Sequence, residues 1–232
     1  MHSMIIGTTE SGKTFLSKCL VAEFKKRGYP CAVLDPFCDP EWQADFITAN
    51  GEEFLAYVKR SRNHFLFVDE SGTTIGRYNP EMEWLATTSR HLGHSSFFIG
   101  HRATQVSTVI RTNSHRAFVF ATDLDSAKLL AVEWREPQLV KLANLGKGEF
   151  FMVTRFPDEN GTKIWRGAID FEGRRVYSVP LERQANNAHT SGVSDGGSSD
   201  AVGVQHVNAT DSGNGFGGND NATVNDNQRA VK

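Results

Sequence analysis

Long apolar runs are missing from this 232-residue sequence. No stretch approaches the roughly 18 consecutive apolar residues that read as a membrane-crossing helix, and the first residues lack the basic-then-apolar layout of a secretory leader. The expectation is a protein with no direct membrane span, made and used in a cytoplasm. Cysteine is scarce. Cys19, Cys31 and Cys38 are the three present, an odd count without CxxC spacing, which argues against a disulfide framework or a zinc site and for small buried hydrophobes. A dominant sign of charge is missing too: 25 basic against 27 acidic residues give a net of −2, which neither announces nor excludes a nucleic-acid partner. The ordinary complement of 39% hydrophobic and 22% charged residues suffices for one sizeable core.

Aromatic residues all but vanish near residue 185. Beyond it Gly, Asn, Ser and Asp dominate and Phe216 is the only aromatic, so little apolar area offsets the entropy of ordering. The expected organisation is a folded body over 1–184 and a low-complexity disordered tail over 185–232. The tail holds five Asp and two basic residues, leaving the body 23 basic and 22 acidic residues, a net of +1.

The body alternates strand-like and helix-like segments. "MIIG" reads as a strand, residues 12–27 as a helix ending at Gly28, "CAVLD" as a second strand and "GEEFLAYVKRSR" as a helix. "HFLFVDE" is apolar on both faces, as a buried parallel strand requires. "PEMEWLATTSRHL" reads as a helix from Pro80 to the stop at Gly93. "SSFFIG", a short helix over "TQVSTVIRTN" and the strand "RAFVFA" follow. Such repeats imply a mainly parallel sheet with helices on both faces. "GEFFMVTRF", "TKIWRGAIDF" and "RRVYSVPL", with "PDENG" as a turn signal, predict a small antiparallel β extension over about 148–180.

Within this α/β framework, "MIIGTTESGKTFLSKCL" places Gly7, four residues, then Gly12, Lys13 and Thr14 between a strand and a helix. That is the context a phosphate loop needs: glycines let successive N–H groups turn toward phosphate oxygens, and the positive end of the helix dipole faces them. Gly7, Thr8, Thr9, Glu10, Ser11, Gly12, Lys13 and Thr14 form the candidate cradle, with Lys13 reaching the terminal phosphates and Thr14 ligating magnesium. "HFLFVDESG" offers the second half. A buried strand ending in Asp69 sets a carboxylate at the sheet edge, where it can hold the water shell of Mg2+, and the adjacent Glu70 suits a base that orients and deprotonates the attacking water.

These residues resemble the additional-strand, catalytic-glutamate branch of the P-loop ATPases, and within it the HerA/FtsK superfamily. A closer likeness is to the small genome-packaging ATPases of tailless, internal-membrane-containing icosahedral viruses of tectivirus and corticovirus type. It rests on the early loop, Asp35-Pro36 after the second strand, Asp69-Glu70, Arg90-His91 before the fourth strand, Arg111-x-Asn113, and "LANLGKGEFFMV", which is similar to a Gly-x-Gly-Glu hairpin. The resemblance implies a RecA-like core with strand order 5-1-4-3-2, in which "SSFFIG" lies between "MIIG" and "HFLFVDE". It implies ATP and Mg2+ as cofactors and a polar sensor at the end of the fourth strand, where His101 holds the position and Gln105 follows. It also implies a homo-oligomeric ring, a hexamer being favoured, in which Arg90 or Arg111 acts across a subunit boundary.

The activity so implied is ATP hydrolysis that drives double-stranded viral DNA into a preformed capsid, with capsid vertex proteins as partners and the virion's packaging vertex and the host cytoplasm as locations. With the loop so near the start of the sequence, the expectation is a motor reduced to one core, a β extension and a tail. The alternatives are a HerA/FtsK-like cellular or plasmid DNA translocase and a Zot-like phage assembly ATPase, a type that usually carries a membrane-spanning segment. A small-molecule kinase, which usually lacks an Asp-Glu strand end, and a non-hydrolysing subunit that uses nucleotide only for assembly stand further off.

Overall fold

The computed structural model describes residues 1–69 and 80–181. Glu70 and the tail over 185–232 lie outside the described residues. The strands are β1 (His2–Ile6), β2 (Cys31–Leu34), β3 (Phe46–Thr48), β4 (Phe65–Val68), β5 (Ser95–Gly100), β6 (Ser114–Phe120), β7 (Glu149–Thr154), β8 (Ile164–Asp170) and β9 (Arg175–Pro180). The α-helices are α1 (Lys13–Lys26), α2 (Gly51–Arg60), α3 (Pro80–Thr87), α4 (Thr108–Asn113) and α5 (Leu124–Glu133). The strands form one sheet in the order β3-β2-β4-β5-β1-β6-β7-β8-β9. Pairing is parallel from β3 through β6 and antiparallel from β6 through β9. β5 therefore lies between β1 and β4, the insertion that the sequence resemblance implies.

The period of two along each strand sorts apolar side chains to two faces. Met4 and Ile6 of β1, Leu66 and Val68 of β4 and Phe98 of β5 pack against Phe54 and Val58 of α2, Leu85 of α3, Ile110 of α4 and Leu130 of α5. Ile5, Phe67, Phe97, Ile99, Phe118 and Phe120 face the other way, onto Leu16 and Val21 of α1 and onto Trp42 and Phe150. On this second face Phe67 and Phe97 stack with centroids 4.7 Å apart, and Phe24 stacks on Phe65 at 3.7 Å. Both faces are covered, which is why the parallel strands read as unbroken apolar runs.

Local chemistry sets the boundaries. Asn50 caps α2 by accepting from the N–H groups of Glu52 and Glu53, with acids in its first turn and Lys59 and Arg60 in its last, so dipole and charges agree. The helix from Pro80 is shorter than its sequence predicts. It ends at Thr87, and a 3-10 turn over Ser89–Leu92 closes at Gly93, φ 78°. In this Thr-Thr-Ser run the Thr87 hydroxyl donates to Glu83 O and that of Ser89 to Leu85 O, local bonds that compete with a regular helix. β3 is a finding without a sequence forecast, since three residues are too few to display a period; it pairs with β2 through Ala32 and Phe46.

Asp35, buried just past β2, organises the following loop. Its carboxylate accepts from Phe37 N–H (3.0 Å), Asp39 N–H (2.9 Å) and the buried Trp42 indole N–H (3.0 Å). Asp35→Ala leaves those donors without an acceptor, and the expected loss of stability is about 2–4 kcal/mol. Urea unfolding checks this. The midpoint should fall at unchanged slope, and a wild-type midpoint would remove Asp35 from that role.

Candidate nucleotide-binding site

Four parallel strands deliver their C-terminal ends to one edge: β1 at Gly7, β4 at Asp69, β5 at His101 and β6 at Ala121. The loop that leaves β1 is pinned among them. Gly7 N–H donates to Gly100 O (3.2 Å), Thr8 N–H to Ala121 O (2.8 Å), and Ser11 O accepts from Gly148 N–H (2.9 Å). Two residues adopt the left-handed conformation the turn requires, Glu10 at φ 62° and Gly12 at φ 115°. Gly7 has no room for a side chain, since a Cβ there would lie 2.6 Å from Phe120 Cβ and 2.8 Å from Ser11 Oγ.

The helix that follows is left open for an anion. Gly12 occupies the N-cap of α1 and makes no side-chain cap, and no acid sits in the first turn. The first N–H groups of α1 and the positive end of its dipole thus lack the side-chain partners that α2 has. Lys13 is buried, and its Nζ donates to Thr8 O (2.7 Å), which holds the ammonium across the concave side of the loop. The buried Ser11 hydroxyl has no hydrogen-bond partner among the described residues. An uncapped helix start, a cradle that a Cβ would fill and an orphaned hydroxyl fit the phosphates of a nucleotide. Thr14, half-buried in the first turn of α1, and Asp69, half-buried past the end of β4 with its N–H donating to Leu34 O (2.9 Å), are the residues present that could hold Mg2+.

The β extension builds one wall of this site. Ile169 and Phe171 approach the space above Gly12, where a Cβ would meet them at 3.0 and 3.5 Å. Phe171 packs edge-on against Phe15 (5.0 Å), Lys147 lies over the Phe171 ring and Arg174 over Phe15. The sequence marked the "GKGE" turn, whose Gly148 holds Ser11. It carried no signal for Phe171, because contact with the loop depends on the antiparallel pairing of β7 and β8. Arg102, in an ion pair with Asp123 at 3.3 Å on the same edge, is a further residue of this edge, and its position directly after His101 at the strand end is its cue in the sequence.

The remaining predicted residues fall in different places. His101 directly follows Gly100, whose carbonyl accepts from the loop's first amide, so its backbone adjoins the cradle. Gln105 lies farther along, in a turn where its N–H donates to Arg102 O (3.1 Å); both side chains are exposed. Arg90 is exposed on the 3-10 turn at the opposite edge of the sheet, beside His2 and Ser114 at the starts of β1 and β6. Arg111 is buried and engaged within its own chain. Its Nε meets both oxygens of Glu133 (3.0 and 3.1 Å), and its guanidinium donates to Ala103 O, Val106 O and the Thr108 hydroxyl. Within one subunit neither arginine reaches the loop, and an Arg111 acting on a neighbour would have to give up all of these bonds.

Two outcomes follow. Gly7→Ala should drive the loop away from Phe120, lowering thermal stability and abolishing nucleotide binding, read by thermal melting and by titration with a fluorescent ATP analogue; retained affinity would refute the cradle. Arg111→Ala should lower thermal stability by several degrees, because Glu133 loses its buried partner at a cost of about 3 kcal/mol, whereas Arg90→Ala should leave the melting temperature unchanged.

No protein-family model and no curated protein matches the chain. Solved structures do match it. The genome packaging NTPase B204 from Sulfolobus turreted icosahedral virus 2, solved in complex with ATP-gammaS, aligns at TM-score 0.59 and 15% identity over 70% of this chain and 95% of that one. B204, the DNA-packaging ATPase from Sulfolobus Turreted Icosahedral Virus, aligns at 0.55 and 12% over 78% and 98%. VirB4 of Thermoanaerobacter pseudethanolicus aligns at 0.50 and 13% over 70% and 87%. At such identities the likeness is one of fold, and the chain has the RecA-like P-loop NTPase fold that the viral genome-packaging NTPases share.

Proposed function

We propose that this chain is an ATP-hydrolysing motor that moves double-stranded DNA into a preformed viral capsid, working as a ring of identical subunits, a hexamer being favoured. The observation that carries the nucleotide part is the uncapped start of α1 behind a loop pinned to the ends of β5 and β6. Support for the packaging part comes from the fold likeness to B204 and from the insertion of β5 between β1 and β4.

In this reading the loop amides that follow Thr8, up to Thr14, bind the phosphates and orient them, while those of Gly7 and Thr8 stay on the ends of β5 and β6. Lys13 exchanges its contact with Thr8 O for the terminal phosphates. Thr14 and the Asp69 side would hold Mg2+, which would supply positive charge against the charge that builds on the transferring group. Glu70 takes the proton of the attacking water. His101 senses the terminal phosphate from the end of β5, with Gln105 as the second candidate, and an arginine from the neighbouring subunit completes the charge stabilisation. Arg90 suits that role better than Arg111, because it is exposed and Arg111 is engaged internally. The packaging vertex of the virion is the expected place of action, reached from the host cytoplasm.

The test separates binding from turnover and both from transport. Lys13→Ala should lose nucleotide affinity, while Glu70→Gln should retain ATP and lose turnover by about 10²-fold or more. In a packaging assay with empty particles neither variant should fill them. Particles that fill with the Lys13→Ala protein would mean that this chain is not the motor, and wild-type hydrolysis by Glu70→Gln would overturn the catalytic assignment alone.

A further inference from the structure

The edge of the sheet opposite the nucleotide loop carries a second concavity, about 610 Å³ in volume, where β1 and β6 begin and α5 ends. Its charge is one-sided. Arg90, Arg135, Arg155 and Lys163 line it against a single carboxylate, Glu133, which is taken by Arg111. Arg155 and Lys163 are held on backbone carbonyls around the end of α5: Arg155 donates to Glu133 O and Arg111 O, and Lys163 to Trp134 O. Arg90 and Arg135, both exposed, have no carboxylate partner among the described residues.

Two buried N–H groups of the same cavity lack acceptors among the described residues. His2 is 4% exposed, and its Nδ1 accepts from Ser96 N–H, so Nε2 carries the ring proton; that N–H has no partner among the described residues. Trp134 is 1% exposed and its indole N–H, which can only donate, has none among them either. Buried donors without acceptors are uncommon and costly. Burial first, and then the surrounding positive charge, pushes His2 down to about 4, and the same two causes lower His115 beside it. The histidines are therefore neutral here and add donors rather than charge.

A cavity with surplus cations and unanswered N–H groups selects a ligand that is all acceptor and multiply negative. We propose that this cavity is a phosphate-binding site, separate from the nucleotide loop, in which Trp134, His2 and Arg135 meet the oxygens of a phosphate group. Arg155 acts as the floor: its guanidinium lies 4.0 Å from the Trp134 ring centroid and fixes the indole. A free phosphate and a phosphate of a nucleic-acid backbone share this chemistry, and the site stands whether or not the chain hydrolyses ATP.

The indole N–H of Trp134 is a local reporter, distinguishable from those of Trp42, Trp84 and Trp165 by its absence from the spectrum of Trp134→Phe. In the full-length protein at constant ionic strength, titration with inorganic phosphate should shift the Trp134 indole resonance saturably and leave the other three in place, while sodium acetate should not move it. A short DNA duplex that produces the same shift identifies the backbone as the source, and a silent duplex identifies free phosphate. Arg135→Gln, an exposed change with no bearing on the core, should weaken the phosphate effect about threefold or more. The assignment is overturned if neither phosphate source moves the Trp134 signal, if acetate moves it equally, or if Arg135→Gln binds phosphate as tightly as the parent.

Discussion

Two hydrogen bonds from consecutive amides, Gly7 N–H to Gly100 O and Thr8 N–H to Ala121 O, fix where the rest of the molecule must lie. They can form only if β1 is flanked on both sides by parallel strands whose C-terminal ends stop level with its own, and the register meets that condition, pairing Ile6 with Gly100 on one side and Val119 on the other. A strand so placed has no solvent face. Each residue of β1 is buried, and the helices needed to cover both faces are the ones the strand-to-strand crossovers supply. The cradle and the architecture are one constraint seen at two scales.

The same constraint explains why the antiparallel extension belongs to the site. A Cβ at Gly12 would lie 3.0 Å from Ile169 Cδ1 and 3.2 Å from Phe120 Cε1, and one at Gly148 only 2.8 Å from Phe171. The loop's glycines thus serve two purposes, a backbone turn at φ 115° and space for β8 and the turn after it to close over the start of α1. Gly148 completes the arrangement by donating to Ser11 O. Removing the extension would unroof the cradle as well as expose the apolar flank of β6.

Much of this was legible because it is written in short, strong signals. Gly7, Gly12, Lys13 and Thr14 between an apolar strand and a helix, "HFLFVDE" with no polar alternation, and Gly148 in the "GKGE" turn each tie a backbone requirement to a residue type. What was illegible depended on partners distant in sequence. Arg111 looks like any basic residue near a helix end, and only the approach of Glu133, 22 residues on, turns it into a buried ion pair. Phe171 and the orphaned indole of Trp134 are ordinary aromatics until the pairing of β7 with β8 and the end of α5 give them surroundings. The helix from Pro80 stops short of its apolar pattern because side-chain hydroxyls of Thr87 and Ser89 compete for carbonyls in a way that apolar periodicity does not register.

The engaged state of Arg111 links the two ends of the sheet. Its guanidinium donates to Ala103 O and Val106 O, in the turn that follows His101, and so it sets the backbone after the strand end nearest the loop. Its own carbonyl receives Arg155, which also grips Ser114 O and Glu133 O and stacks on Trp134 at the far cavity. A continuous run of charge-assisted hydrogen bonds therefore spans from the nucleotide edge to the basic edge. Such a path transmits energy only if one of its members has two arrangements that both ends can bias. The turn at Ala103 to Val106 is the near end of that path: Arg111 donates to two of its carbonyls, its Ala103 and Val106 side chains pack into the core, and β5, which precedes it, ends where the phosphate loop begins.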